Sequence, residues 1–348
     1  MAAFDALQFG IFDQNDHGPY RLAEQYENRL QLIELYDRAG FRTYHMSEHH
    51  STPLNLTPSP SVFLSAVAQR TTRIRLGALV YVLPTHHPLR LAEEICMLDH
   101  LSDGRIEIGF GRGASPHELA YWGVDPDTAP AIYLEAYNVI MQALTRDEVN
   151  FAGKHYRFER VPIDLKPMQL PHPPLWYAVP VPEGAAWPAQ NRINVVCGGP
   201  LPRVREITDR YRAAWAAAGY PPEQLPLLGI NRFVIAADSD REAMALGRRA
   251  WPVFYKSFMK LWKLHGTQPR YTRIPEDFDT LVQNGGAIAG SPGTIRDRVR
   301  HMTEEAGANY FIGQFSFGDL RHEEVTHSVG IFAGEMLPSS RERVVQAV

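Results

Sequence analysis

Three short stretches combine carboxylate, imidazole and guanidinium groups closely enough to do chemistry: Glu48-His49-His50, the His86-His87 pair inside LPTHHP, and Gly109-Phe110-Gly111-Arg112-Gly113. The glycine-arginine run reads in two ways. Glycines let a backbone approach an anion closely and Arg112 presents a planar fork of donors, which together would cradle a phosphate; the same string also describes a tight turn with a surface arginine. Beside Glu48, His49 reads as a general base, a metal ligand or a histidine satisfied within the core. The metal reading is the weakest of the three. There is no HExxH helix motif, no paired histidines mark the first strand, and adjacent His49 and His50 point to opposite sides of an extended chain.

What must position these residues is legible from periodicity. Leu7 to Asp13 reads as a strand, and Leu22 to Ala39 as a helix with Leu22, Tyr26, Leu30, Ile33 and Tyr36 near one face, closed by Gly40. Arg42 to Glu48 is the next strand. Pro58 and Pro60 sit where a first helical turn tolerates proline, ahead of Phe63, Val67 and Ala68. Ile74 to Leu83 is apolar on both faces, as expected of a parallel strand covered on each side. Pro88 to Leu101 forms a helix, Asp103-Gly104 a turn, and Arg105 to Phe110 the fourth strand. Each reactive stretch therefore falls at the carboxyl end of a strand.

Further strands are expected at Leu175 to Val179, Ile193 to Cys197, Leu227 to Ala237 and Tyr310 to Phe317, with helices at Ala129 to Thr145, Pro202 to Ala218, Pro292 to Ala306 and Glu323 to Met336. Counting the strands gives eight. That number favours one closed (β/α)8 TIM barrel over residues 1–348, with insertions at about 146–174 and 239–286, after strands 4 and 7. Within the second insertion Trp251, Phe254, Tyr255, Phe258 and Trp262 recur at helical spacing, either as a core-facing stripe or as an aromatic wall over a ligand.

Composition narrows the partners. Lys and Arg total 35 against 39 Asp and Glu, a net charge of -4 with no basic tract, so nucleic acid is not an expected partner. Cys96 and Cys197, about 100 residues apart, lack metal-type spacing and suit a reducing compartment. No window approaches the roughly 18 apolar residues of a membrane span, and the N-terminus lacks a signal-peptide pattern. A cytoplasmic protein without a membrane partner is expected.

Seven stretches in order and in register resemble the bacterial luciferase family of flavin monooxygenases: FRTYHMSEHH (41–50), VLPTHHPLR (82–90), LDHLSDGR (98–105), GFGRG (109–113), AGSPGT (289–294), QFSFGDL (314–320) and IFAGEMLP (331–338). The likeness covers most of the chain. It implies an enzyme that takes reduced FMN from a separate flavin reductase, reacts it with O2, and places one oxygen in a small apolar or carbonyl-bearing substrate. In that resemblance His49 stands at the catalytic histidine, supported by His50, with Glu48 in the cofactor shell. Arg112 matches a phosphate ligand, Leu79-Val80 a non-prolyl cis peptide beneath the flavin, and Gly111 a reactive-cysteine position, where glycine is expected to leave room. It further implies a homodimer through the helices after strands two and three, with Phe63, Val67 and Ile95 as contacts. One stretch departs from the pattern. The loop after strand five reads VPVPEGAA, with two prolines and no hydroxyl, which leaves the amides of Glu183, Gly184 and Ala185 to meet the phosphate. A deazaflavin (F420) enzyme on the same barrel, or a flavin-binding subunit without catalysis, are the competing readings.

Overall fold

The computed structural model describes residues 7–269 and 273–337. Pro338, at the end of the last resembling stretch, lies outside the described residues, as do residues 270–272 of the second insertion. In chain order the first half comprises β1 (Gln8–Asp13), α1 (Leu22–Ala39), β2 (Thr43–Met46), α2 (Pro60–Arg70), β3 (Arg75–Val82), α3 (Pro88–Leu101), β4 (Ile106–Gly111), α4 (Pro116–Tyr121) and α5 (Ala129–Thr145). Then follow β5 (Glu148–Ala152), β6 (Arg157–Pro162), β7 (Leu175–Ala178), α6 (Ala186–Gln190), β8 (Asn194–Cys197), α7 (Leu201–Ala217) and β9 (Leu228–Ala236). The chain continues through α8 (Asp240–Leu264), α9 (Phe278–Gln283), β10 (Ala287–Gly290), α10 (Pro292–Ala306), β11 (Tyr310–Gln314) and α11 (His322–Met336).

The elements begin and end where local chemistry dictates. Gly40 closes α1 at φ 91°, a left-handed value that a side chain resists, and prolines occupy the first turns of α2, α3 and α10, where no amide donor is required. All pairings of the main sheet are parallel. The ring runs β9-β11-β1-β2-β3-β4-β7-β8 and closes by Val195 of β8 against Leu228 of β9, an eight-stranded barrel with helices between strands.

Two pieces escaped the sequence reading. β5 and β6 form an antiparallel hairpin whose residues are largely exposed, so no apolar alternation marked it. β10 is a four-residue strand of alanine, isoleucine and glycine that lies outside the ring; it pairs with the second half of β9, from Ala287 opposite Phe233 to Gly290 opposite Ala236. The expected contacts Phe63, Val67 and Ile95 are a correction: all three are buried against their own chain, and on the same helices the exposed apolar residues are Val62, Met97 and Leu101. No helix among the described residues is long and apolar enough to cross a membrane.

The barrel is filled rather than hollow at its amino end. Tyr310 occupies the space a side chain at Gly10 would need, and Trp176, Leu79, Val196, Ile312 and Phe12 pack around it. Glu107, wholly buried, accepts hydrogen bonds from Arg42 (2.8 Å), Arg75 (2.6 Å) and the Trp176 indole N–H (2.6 Å). Burial alone would raise its pKa; the charges of Arg42 and Arg75 and the Trp176 hydrogen bond outweigh that and hold it below the usual carboxylate value. His45 nearby is pushed down to about 4 by burial and stays neutral at physiological pH. This plug leaves the carboxyl-end mouth as the place where a ligand can enter.

Candidate active site

Beyond Met46 the chain stays non-helical through residue 50 and carries Glu48, His49 and His50 out of the barrel wall. The buried Glu48 carboxylate accepts from Nε2 of His50 (2.8 Å), Nε2 of His86 (2.9 Å), the backbone N–H of Val82 (3.0 Å) and the Thr85 hydroxyl (3.3 Å). Burial would raise its pKa, but the hydrogen bonds from His50 and His86, the His86 charge and the Val82 amide bring it to about 2. Both Glu48 oxygens are thus engaged by protein groups, and its place is that of a strut tying the β2 and β3 ends together.

His49 takes a different partner. Its Nδ1 lies 3.1 Å from Oε1 of Glu118, whose Oε2 accepts the backbone N–H of His50 at 2.7 Å. A carboxylate can only accept, so Nδ1 donates and Nε2 is left to exchange a proton. Burial lowers the His49 pKa, while the charge and hydrogen bond of Glu118, with the charge of Glu48, outweigh it and set the value above 6.5. Glu118 was not foreseen. It sits on α4, whose first turn is fixed by Ser115 accepting the Glu118 N–H (3.3 Å); the S-x-x-E spacing of Ser115 and Glu118 is the signal that would have found it. Trp122, next after α4, lies against the His50 ring at 4.8 Å. At its other side α4 meets the end of α8, where His117 stacks on His265 (4.1 Å) and the Tyr121 hydroxyl meets His265 Nε2 (2.6 Å).

The Leu79–Val80 peptide is cis, and the β3–β4 register shifts between Ala78 and Tyr81. Two glycines of GFGRG answer to this bend. A Cβ on Gly109 would lie 2.5 Å from the Ala78 carbonyl oxygen, and one on Gly111 would overlap Val80 Cγ2. The room expected at Gly111 is therefore filled by Val80, a correction to the reading of that glycine as open space. Gly111→Ala is expected to cost about 1–3 kcal/mol as the Val80 side chain is displaced. Thermal unfolding measures it, and an unchanged midpoint would mean that Val80 yields freely.

Arg112 is exposed and forms no hydrogen bond or ion pair among the described residues. Its charge reaches Tyr133, whose buried hydroxyl has no partner. The turn after β7 looks different. The Gly184 N–H donates to the Val181 carbonyl (3.1 Å), the Ala185 N–H to that of Pro182 (3.2 Å), and Glu183 pairs with Arg210 (3.5 Å). The amides of Gly184 and Ala185 are consumed within their own turn.

Three carboxamides complete the mouth. Alternation from Phe12, Ile312 and Gly229, which face the barrel interior, places Gln14, Gln314 and Asn231 on the same inner wall. Gln14 Oε1, Asn231 Oδ1 and Gln314 Nε2 are buried without a partner. A separate cavity of about 370 Å³ is lined by Glu48, His50, His86, Arg90, Glu94 and Trp122 among others, and by neither His49 nor Arg112. Of the aromatic stripe on α8, Trp251 and Phe254 pack on Phe233 (4.9 and 5.0 Å) and Phe317 within the core.

Comparison with known proteins adds the family. Residues 7–310 match the model of the luciferase-like monooxygenases. A protein of Sinorhizobium fredii without an assigned activity, y4wF, is 43% identical over 90% of this chain and 92% of its own. The 4-hydroxyprotoasukamycin monooxygenase of Streptomyces nodosus subsp. asukaensis is 30% identical over 80% of this chain and 77% of its own. The oxygenase component of the flavin-dependent trigonelline monooxygenase of Acinetobacter baylyi is 28% identical over 67% and 65%. Among solved structures, monooxygenase RslO1 of Streptomyces bottropensis superposes with a TM-score of 0.85 at 27% identity, covering 96% of this chain and 99% of that one.

Proposed function

The chain belongs to the luciferase-like monooxygenase family, and from that premise we propose that it is the oxygenase component of a two-component system, using reduced FMN from a separate reductase and O2 to oxygenate a small, largely apolar, carbonyl- or hydroxyl-bearing compound. The supporting observation is the His49–Glu118 pair: a protonatable imidazole with Nδ1 anchored and Nε2 unengaged, one strand from the Leu79–Val80 bend. The trigonelline enzyme, itself a flavin-dependent oxygenase component, supports the same assignment.

The residues present fit a flavin. An unpaired guanidinium beside an orphaned buried hydroxyl, Arg112 and Tyr133, is a donor set lacking its acceptor, which suits the phosphate end. Leu79, Val80 and Gly111 would line the ring. Bound and reduced, FMN supplies the two electrons that activate O2. The chain's own part is positioning, exclusion of water and proton management. His49 holds or delivers a proton at Nε2, with Glu118 keeping the ring oriented. Leu79, Val196 and Ile312 make the floor apolar, which keeps water from the reacting centre.

Gln14, Asn231 and Gln314 would hold the substrate's polar group, since buried amides without partners favour a ligand that supplies them. Asn231→Leu and Gln314→Leu are each expected to raise KM about three- to tenfold, one hydrogen bond's worth, while leaving reduced-FMN affinity alone. Steady-state kinetics beside a flavin titration separates the two effects, and equal losses in both would assign the carboxamides to the cofactor. The whole reading is tested by anaerobic titration with reduced FMN followed by mixing with O2 and candidate ketones. Binding of F420 in place of FMN would move the chain to the deazaflavin enzymes, and binding of neither would favour a subunit without catalysis.

A further inference from the structure

Two arginines, Arg203 in the first turn of α7 and Arg232 midway along β9, meet at the turn after β8 and lack a counter-charge. Arg232 is 2% exposed; its Nη1 donates to its neighbour's carbonyl, that of Asn231 (2.7 Å), its Nη2 to that of Gly199 (2.8 Å), and its Nε has no partner. Arg203, in the first turn of α7, packs against the same residue, because a Cβ on Gly199 would overlap its guanidinium, and its Nε is likewise buried and unpartnered. Neither forms an ion pair among the described residues, whereas other arginines of α7 do: Arg205 with Asp209 (2.8 Å) and Arg210 with Glu206 (2.7 Å). Cys197 is near both but is no counter-ion, since burial pushes its thiol up to about 12.

A buried cation is ordinarily paired, so Arg232 beside a second, partly buried guanidinium with no carboxylate between them is incomplete without an anion. The surroundings agree. Gly198, Gly199 and Pro200 are exposed, Gly199 takes φ 89°, and the 17-residue α7 begins here with no acidic residue in its first turn and no side-chain cap. Burial lowers the Arg232 pKa to about 10, which leaves it charged at neutral pH. We propose that the Gly198–Pro200 turn, with Arg203 and Arg232, binds a phosphate-class oxyanion. It stands one strand on from the β7 turn, where Gly184 and Ala185 have no amides to spare.

The probe is inorganic phosphate, read by isothermal titration against chloride at matched ionic strength, without turnover or flavin. Saturable binding is expected, with a dissociation constant at least tenfold higher in Arg203→Gln, whose partly exposed site tolerates the change, and in Arg232→Gln, and unchanged in Arg205→Gln, an exposed arginine of the same helix. Phosphate binding absent from the parent protein, equal in Arg203→Gln, or lost only in Arg112→Gln would overturn the site. Competition identifies the source. Displacement of phosphate by FMN and not by riboflavin assigns the oxyanion to the cofactor, and simultaneous binding of FMN and phosphate assigns it to an acidic substrate or a free ion.

Discussion

His49→Ala is expected to lower turnover by about 10²–10⁴-fold, the usual contribution of a positioned proton donor or acceptor, while reduced-FMN affinity stays within a few fold. The variant removes the one imidazole whose Nδ1 is anchored by Glu118 (3.1 Å) and leaves the Glu48–His50–His86 strut untouched. Glu118→Gln is the finer probe. Its carboxylate charge and hydrogen bond are what raise His49 above its ordinary value against burial, so the His49 pKa, followed by NMR of the imidazole, should fall in the variant. The sign carries over to stability. A histidine whose folded pKa is raised contributes stability fully below about 6.5 and loses it as pH rises through the folded value, so parent and variant should converge in alkaline solution. A His49→Ala enzyme with full turnover would dismiss the histidine from the chemistry, and an unmoved His49 pKa would dismiss Glu118 as its positioning residue.

The second large effect concerns stability. Glu107→Ala leaves the Arg42 and Arg75 guanidiniums and the Trp176 N–H facing a void at the foot of the barrel. Removing one member of a buried charged network costs about 3–5 kcal/mol, and the low end applies here because both arginines remain about one quarter exposed. Urea unfolding at neutral pH measures the loss. Because the folded Glu107 pKa is lowered, the advantage of the parent is complete above the ordinary glutamate value of about 4.3 and shrinks as pH falls through the folded value. A loss below about 1 kcal/mol would mean that water replaces the carboxylate, contrary to the dry packing around Trp176 and Tyr310.

The eight ring strands were legible because apolar runs bounded by glycine, proline and asparagine carry a strong periodic signal, as in β3 and β9. The β5–β6 hairpin was not, since both of its faces are mostly wet, nor was β10, whose alanine and glycine have no strand preference of their own. At the site, the cis bond at Leu79–Val80 stands where the resemblance placed it. What stayed hidden was pairing across long separations. Glu118 reaches His49 over 69 positions, and Arg203 meets Arg232 only because β8 and β9 close the ring. Residue type suggested none of this, because carboxylates and arginines are ordinarily solvated.

β9 belongs to the ring through its first half and to β10 through its second. The 237–286 segment therefore departs from and rejoins one short ladder that the ring does not need for closure. Its two anchor points are fixed relative to each other by the β9–β10 pairing, much as a graft is held by a common stock. Because Trp251 and Phe254 of this segment pack on Phe233 and Phe317 in the core, its exchange among relatives should leave the folding unit intact where those four aromatics are kept, which makes its two ends natural crossover points for recombined enzymes.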